Sequence, residues 1–164
     1  MQSLFTLQMI RKCKENHIHI AIDTCGYTTT DTGFEVLAEA DLLLFDLKGM
    51  DTVDHTRNTG VPNEIIHQNL REMNDMGKPI IVRIPVIPGL TDSKENLSST
   101  AEMLSGLRSI ERVDLVAFHN YGGIKYRQLE MHNRLASLQP PGRKKMEEIR
   151  TMFENKGLTA QLGG

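Results

Sequence analysis

The sequence predicts an α/β protein built on a parallel sheet, and three observations carry that prediction. Segments whose apolar residues recur with helical period alternate with short strand-like runs. The strand-like runs are nearly continuous in Ile, Leu and Val, as befits strands covered by helices rather than exposed on one side. A helix-length segment lies between successive runs, which is how parallel strands are joined in right-handed βαβ units. On pattern alone a doubly wound sheet and a curved or barrel-like sheet both remain open. The 164 residues read as one domain, 1–164, of about four βα units, long enough to enclose a core.

Taken in order, "SLFTLQMIRKCKEN" sets Leu4, Leu7, Ile10 and Cys13 along one helical stripe. "HIHIAIDTCG" follows as a strand, with Ile18, Ile20 and Ile22 alternating and Asp23 at its end. "TDTGFEVLAEA" is a short helix capped by Thr30 or Asp31. "ADLLLFDLKGMD" is the second strand, with Asp46 inside an apolar run and Lys48 just after it. "NEIIHQNLREMNDMG" puts Ile65, Ile66, Leu70, Met73 and Met76 on one face of a helix that Gly77 stops. "KPIIVRIPVIPG" is a third strand, broken by Pro85 and Pro88–Gly89. The next helix starts at "TDSKEN", where Asp92 and Glu95 have capping-box spacing. "RVDLVAFHNYGG" is the fourth strand, and "PPGRKKMEEIRTMFENKG" the last helix, burying Met146, Ile149, Met152 and Phe153. "LTAQL" suits a short final strand.

Composition narrows the function classes. Hydrophobic residues make up 39% and charged residues 24%, values of an ordinary globular protein. The net charge is −2 and the longest basic run is Arg143–Lys145, which argues against a nucleic-acid partner. No apolar stretch reaches membrane-spanning length and the N-terminus is not signal-like, so the cytoplasm is the expected location. Cys13 and Cys25 match no zinc, redox or disulfide spacing and read as reduced, partly buried thiols. "GYTTTDTG" lacks both the Walker lysine and the dinucleotide-binding glycine spacing. Among the histidines, His17, His19 and His55 read as exposed, while His67 and His132 have no partner at metal-ligand spacing.

The polar residues fall where a site belongs. The first strand ends in Asp23, the second in Asp46 and Lys48, and the fourth in His119, with Arg83 a little before the end of the third. In parallel α/β folds the carboxyl ends of the strands share one rim, and ligand sites gather there. Each group also has a plainer reading: Asp23 a turn former, Asp46 and Lys48 a structural ion pair, Arg83 the partner of a nearby carboxylate, His119 a satisfied core histidine. Together, two carboxylates, Lys, Arg and His on one rim suit a small zwitterion or a phosphate.

"IDTCG", "FDLKGMD", "VRIPVIPGLTD" and "LVAFHNYG", in this order and spacing, resemble the glycyl radical enzyme activating enzymes, of the pyruvate formate-lyase activating enzyme type, within the radical S-adenosylmethionine superfamily. "QPP" before the last helix fits the same pattern. The resemblance implies that the sheet is the C-terminal part of a partial (β/α)6 barrel. It implies that Asp23, Asp46, Lys48, Arg83 and His119 bind S-adenosylmethionine, with His119 near the adenine. It also implies that Asp23 and Asp46, with backbone oxygens of Thr24 and Leu44, surround a monovalent cation. Cys25 stands in place of the usual Asn of the Asp-Thr-Asn-Gly motif, and Ala117–Phe118 in place of Pro-Tyr before the histidine. Implied partners are a glycyl radical enzyme such as pyruvate formate-lyase and an electron donor, flavodoxin or ferredoxin.

Two features of such enzymes are missing. The chain has neither the CxxxCxxC loop that ligates a [4Fe–4S] cluster nor the Gly-Gly-Glu-Pro segment. The resemblance therefore implies a member lacking its first two βα units, with the cluster present only in the complete protein. This chain alone is expected to be inactive in reductive cleavage. The "HIAID" strand is expected to form an exposed sheet edge that favours a homo-oligomer. Two alternatives stand beside this reading: a non-catalytic folded fragment or ligand-binding module, and an unrelated α/β barrel enzyme.

Overall fold

The computed structural model describes residues 2–163. Along the chain lie α1 (Ser3–Glu15), β1 (Ala21–Thr24), α2 (Asp31–Glu39), β2 (Leu42–Asp46), α3 (Thr52–Thr59) and α4 (Glu64–Asp75). Then come β3 (Ile80–Val86), α5 (Lys94–Ser105), β4 (Ile110–Ala117), α6 (Gly123–Gln128), α7 (Arg143–Glu154) and β5 (Ala160–Leu162). The strands are all parallel and adjacent in sequence order, β1-β2-β3-β4-β5. Successive right-handed crossovers that never reverse direction put every helix on one face, as in a barrel wall; a doubly wound sheet needs a reversal of strand order.

The two faces differ as the strand period requires. Leu43, Phe45, Leu47, Val82, Ile84, Val86, Val113 and Leu115 point to the helices and are buried. They pack with Leu70 and Met73 of α4, Leu97 and Leu104 of α5, and Met146 and Phe153 of α7 in one contiguous core. The opposite face carries Asp23, Leu44, Asp46, Arg83 and Pro85, all half-buried or exposed.

Several local expectations change. Pro85 does not break β3, which continues to Val86. The backbone of Arg83 faces β2, accepting from Leu47 N at 2.9 Å, and Pro85, two residues on, points the same way. There β2 has already ended, so the missing N–H of Pro85 costs no ladder bond. The α5 cap is Ser93, which accepts from Asn96 N at 3.1 Å, while Asp92 accepts from Gly89 N in the preceding turn. Thr30 caps α2 as expected, accepting from Gly33 N. Leu4 and Met76 are exposed, and His55 is buried, holding Val61 O through Nδ1 at 2.8 Å. The short helices α3 and α6 are additions to the expected pattern.

Candidate functional site

The rim at the carboxyl ends of the strands is assembled from tight turns. After Asp23, Thr24 Oγ1 accepts from Gly26 N at 2.9 Å and closes a turn. Gly26 has φ +69° and lies directly on the Phe45 ring, where any Cβ would overlap the aromatic carbons. The Asp-Thr-Cys-Gly stretch is thus fixed by backbone geometry at a position that only glycine can occupy.

Register then brings distant residues together. Asp23 is opposite Leu44, and Asp46 is opposite Arg83, all on the open face. Arg83 Nε donates to Asp46 Oδ1 at 2.9 Å, and its Nη2 lies 2.8 Å from the same oxygen and also pairs with Asp23. Lys48 Nζ lies 3.5 Å from Asp46 Oδ2. The guanidinium therefore sits between two carboxylates, one from each preceding strand. Burial opposes its charge, but the hydrogen bonds to Asp46 and Asp23 outweigh that and raise its pKa above the ordinary value. The side chains of Asp46 and Arg83 are 27% and 24% exposed and those of Asp23 and Lys48 are 61% and 38%, so the cluster has an anchored inner half and an open outer half.

His119 does not join this cluster in the structure. β4 ends at Ala117, Phe118 N donates to Val86 O, and His119 lies beyond, exposed, with its ring centroid 4.4 Å from that of Tyr121. It remains on the same rim. Beside the cluster opens a cavity of about 660 Å³ that shares Lys48 with it and is walled by Met50, Asp51, Pro85, Leu90 and Leu135.

Cys13 on α1 and Cys25 after β1 are free and half-buried, and two thiols cannot supply the three that a [4Fe–4S] cluster needs. Among the described residues no group of three His, Cys, Asp or Glu is placed to hold a metal ion. The chain therefore does not fit the cluster. Asp23, Asp46, Lys48 and Arg83 do fit a ligand carrying both charges: the carboxylates accept from an ammonium, and Lys and Arg complement a carboxylate.

Three asparagines escaped the sequence reading. Asn63 and Asn69 are buried at 2% and 3% exposure, and Asn96 stitches two rim loops by accepting from Met50 N and donating to Thr91 O, each at 2.8 Å. Their only sequence signal is an Asn on the inward side of a helical stripe.

This arrangement of parallel strands, outer helices and a charged carboxyl-end rim is that of a radical S-adenosylmethionine barrel domain. A radical S-adenosylmethionine methyltransferase from Sphaerobacter thermophilus superposes on 96% of the chain with a TM-score of 0.69, at 18% identity and over 45% of its own length, a likeness of fold. A domain of pyruvate formate-lyase-activating enzyme from Bacteroides vulgatus matches 99% of the chain and 91% of its own length, with a TM-score of 0.82 and 29% identity. In sequence the chain is 36% identical over 162 residues to trans-4-hydroxy-L-proline dehydratase activating enzyme of Clostridioides difficile, covering 98% of the chain and 53% of that enzyme. The chain belongs with the glycyl radical enzyme activating enzymes, and it spans about half the length of such relatives. No family model matches it.

Proposed function

We propose that the chain is the S-adenosylmethionine-binding part of an activating enzyme that generates a glycyl radical on a partner enzyme by hydrogen abstraction. The observation that carries this is the Asp23–Arg83–Asp46 bridge with Lys48 beside it, on the open face at the carboxyl-end rim. When bound, S-adenosylmethionine and a [4Fe–4S] cluster supply the one-electron chemistry of such enzymes. The chain's own residues bind and orient. Lys48 and Arg83 would attract the ligand's carboxylate and Asp23 and Asp46 its cationic groups, and His119, further along the rim, would pack near its adenine. Asp23 and Asp46, with backbone oxygens of Thr24 and Leu44, would hold a monovalent cation, which would leave Arg83 free for the ligand's carboxylate. Two adjacent carboxylates tolerate each other when a cation lies between them. The whole enzyme's partners are a glycyl radical enzyme such as pyruvate formate-lyase and an electron donor, flavodoxin or ferredoxin, in the cytoplasm. In the structure, no helix among the described residues is long and apolar enough to cross a membrane.

Because the chain supplies too few thiolates, reconstitution with iron and sulfide is expected to give no cofactor-sensitive [4Fe–4S] signal by electron paramagnetic resonance, and such a signal would overturn that expectation. Calorimetric titration with S-adenosylmethionine tests the binding role: wild type should bind and Asp46→Ala should bind at least ~10-fold more weakly. Equal binding by both, or none by wild type, refutes the assigned site.

A further inference from the structure

The mechanism above leaves two buried side chains on α4 without a task. Asn69 donates through Nδ2 to Gly26 O at 2.7 Å and to Thr28 O at 3.0 Å. Asn63 donates through Nδ2 to Gly49 O at 2.8 Å and to Met50 O at 3.0 Å. The first pair of carbonyls belongs to the loop directly after Asp23, the second to the loop directly after Lys48. One helix therefore holds, with one amide each, the two loops that follow the ligand-facing residues of β1 and β2.

The sacrifice at Asn63 shows that this is not incidental. Asn63 is the N-cap of α4, where an asparagine ordinarily accepts from the first turn of its own helix. Here it makes no side-chain cap bond and sits at φ −107°, ψ −2° rather than in the extended cap conformation. The helix forgoes its cap and spends the side chain on the loop. Asn69 lies six residues further, about 9 Å along the axis at 1.5 Å per residue. It is buried near Ile66, Leu70 and Met73, the residues that seat α4 in the core. Loop carbonyls usually face water. Turning these four inward fixes how each loop leaves its strand.

We infer that Asn63 and Asn69 are positioning residues: strand register sets Asp23 beside Asp46, and α4 clamps the β1–α2 and β2–α3 loops to one rigid body, which fixes the backbone that walls the ligand site after Asp23 and places Lys48, just beyond β2. The role in ligand binding rests on the reading under Proposed function; the clamping of the loops does not.

Hydrogen exchange and ligand binding on the 164-residue chain test it with three variants. Asn63→Asp keeps a good capping residue and removes the two donors. Asn69→Asp removes the other two donors at constant size. Leu104→Val, at the far end of α5, serves as a core control. Asn69→Asp should speed exchange at the hydrogen-bonded amides of Gly26 and Thr28 and leave that of Met50 protected, and Asn63→Asp should do the reverse. Both should weaken S-adenosylmethionine binding by about tenfold or more, the size of effect that loss of outer hydrogen-bond partners has at metal sites. The control should lower the urea midpoint and change neither readout. Unchanged loop exchange overturns the clamp, and faster exchange with unchanged affinity overturns the positioning role. If wild type does not bind S-adenosylmethionine, the proposed function fails and exchange alone decides the clamp.

Discussion

Arg83 does at the rim what a bound cation would do: it keeps Asp23 and Asp46 together. Replacing it with alanine leaves Asp23 without its cation and Asp46 with Lys48 alone. Arg83→Ala should cost about 1–2 kcal/mol, near the low end for charge-assisted hydrogen bonds because Asp23 is open to water. The proposal that the same gap accepts a monovalent cation makes this variant informative. Its urea midpoint should rise when potassium chloride replaces choline chloride at equal ionic strength, and that of the wild type should not. An equal response in both would count against a cation site there. Gly26 gives a sharper case. Its φ of +69° and its contact with the buried Phe45 ring leave no room for a methyl group. Gly26→Ala combines backbone strain with overpacking and should cost about 2–4 kcal/mol in urea unfolding; a loss under half a unit would mean that the ring yields freely. The sequence marked Asp23, Asp46 and Arg83 as rim groups, because each lies at or near the end of an apolar run. It did not show that one arginine serves both aspartates, since that depends on register across three strands.

At the scale of elements, α4 joins core to rim and carries a pH-sensitive group. His67 is buried among its apolar residues, and its Nε2 has no hydrogen-bond partner. Burial, together with the positive charge of Arg71, pushes its pKa below the ordinary 6.5. The sign follows from linkage: below pH 6.5 the unfolded chain binds the proton first, so stability is complete above that value and is lost as pH falls through the depressed folded value. The urea midpoint should decline from about pH 6.5 downward, and His67→Gln should flatten the decline; an unchanged slope would assign the effect elsewhere. The carboxyl of Asp41, held down by the Ile20 N–H, acts in a lower window, as pH falls from its ordinary 3.8. Elements were legible in proportion to their apolar pattern. The strands and α4 showed clearly because continuous or periodic apolar runs bury them. α3 and α6 did not, because α3 buries only His55 and α6 buries no residue at all. Asn63 and Asn69 went unmarked for a related reason: what buries them is the pair of loops whose carbonyls they hold, and those contacts are distant in sequence.

On the scale of the whole molecule, sequential strand order leaves two edges, β1 and β5. β5 is three residues long with Gln161 and Leu162 exposed, too short to recruit another strand strongly. β1 is different. Ile20 turns its carbonyl toward β2, accepting from Asp41 and Leu42. By strand alternation Ile22 and Thr24 face β2 as well, which leaves the backbone groups of Ala21 and Asp23 pointing out of the sheet. Just before this edge Ile18 is 55% exposed, and α1 carries Phe5 at 61% and Met9 at 53%. An unpaired edge beside exposed apolar side chains favours pairing with another chain, and a second copy of this chain offers the same strand. Light scattering should therefore show a dimer whose fraction rises with protein concentration. Ala21→Pro removes an outward N–H that no bond within the chain uses, so it should return the protein to a monomer while the urea midpoint, extrapolated to low concentration, stays close to that of the wild type. A wild-type chain that scatters as a monomer at every concentration refutes the pairing. A dimer that survives Ala21→Pro moves the interface away from β1, leaving the apolar face of α1 as the surface to mutate next.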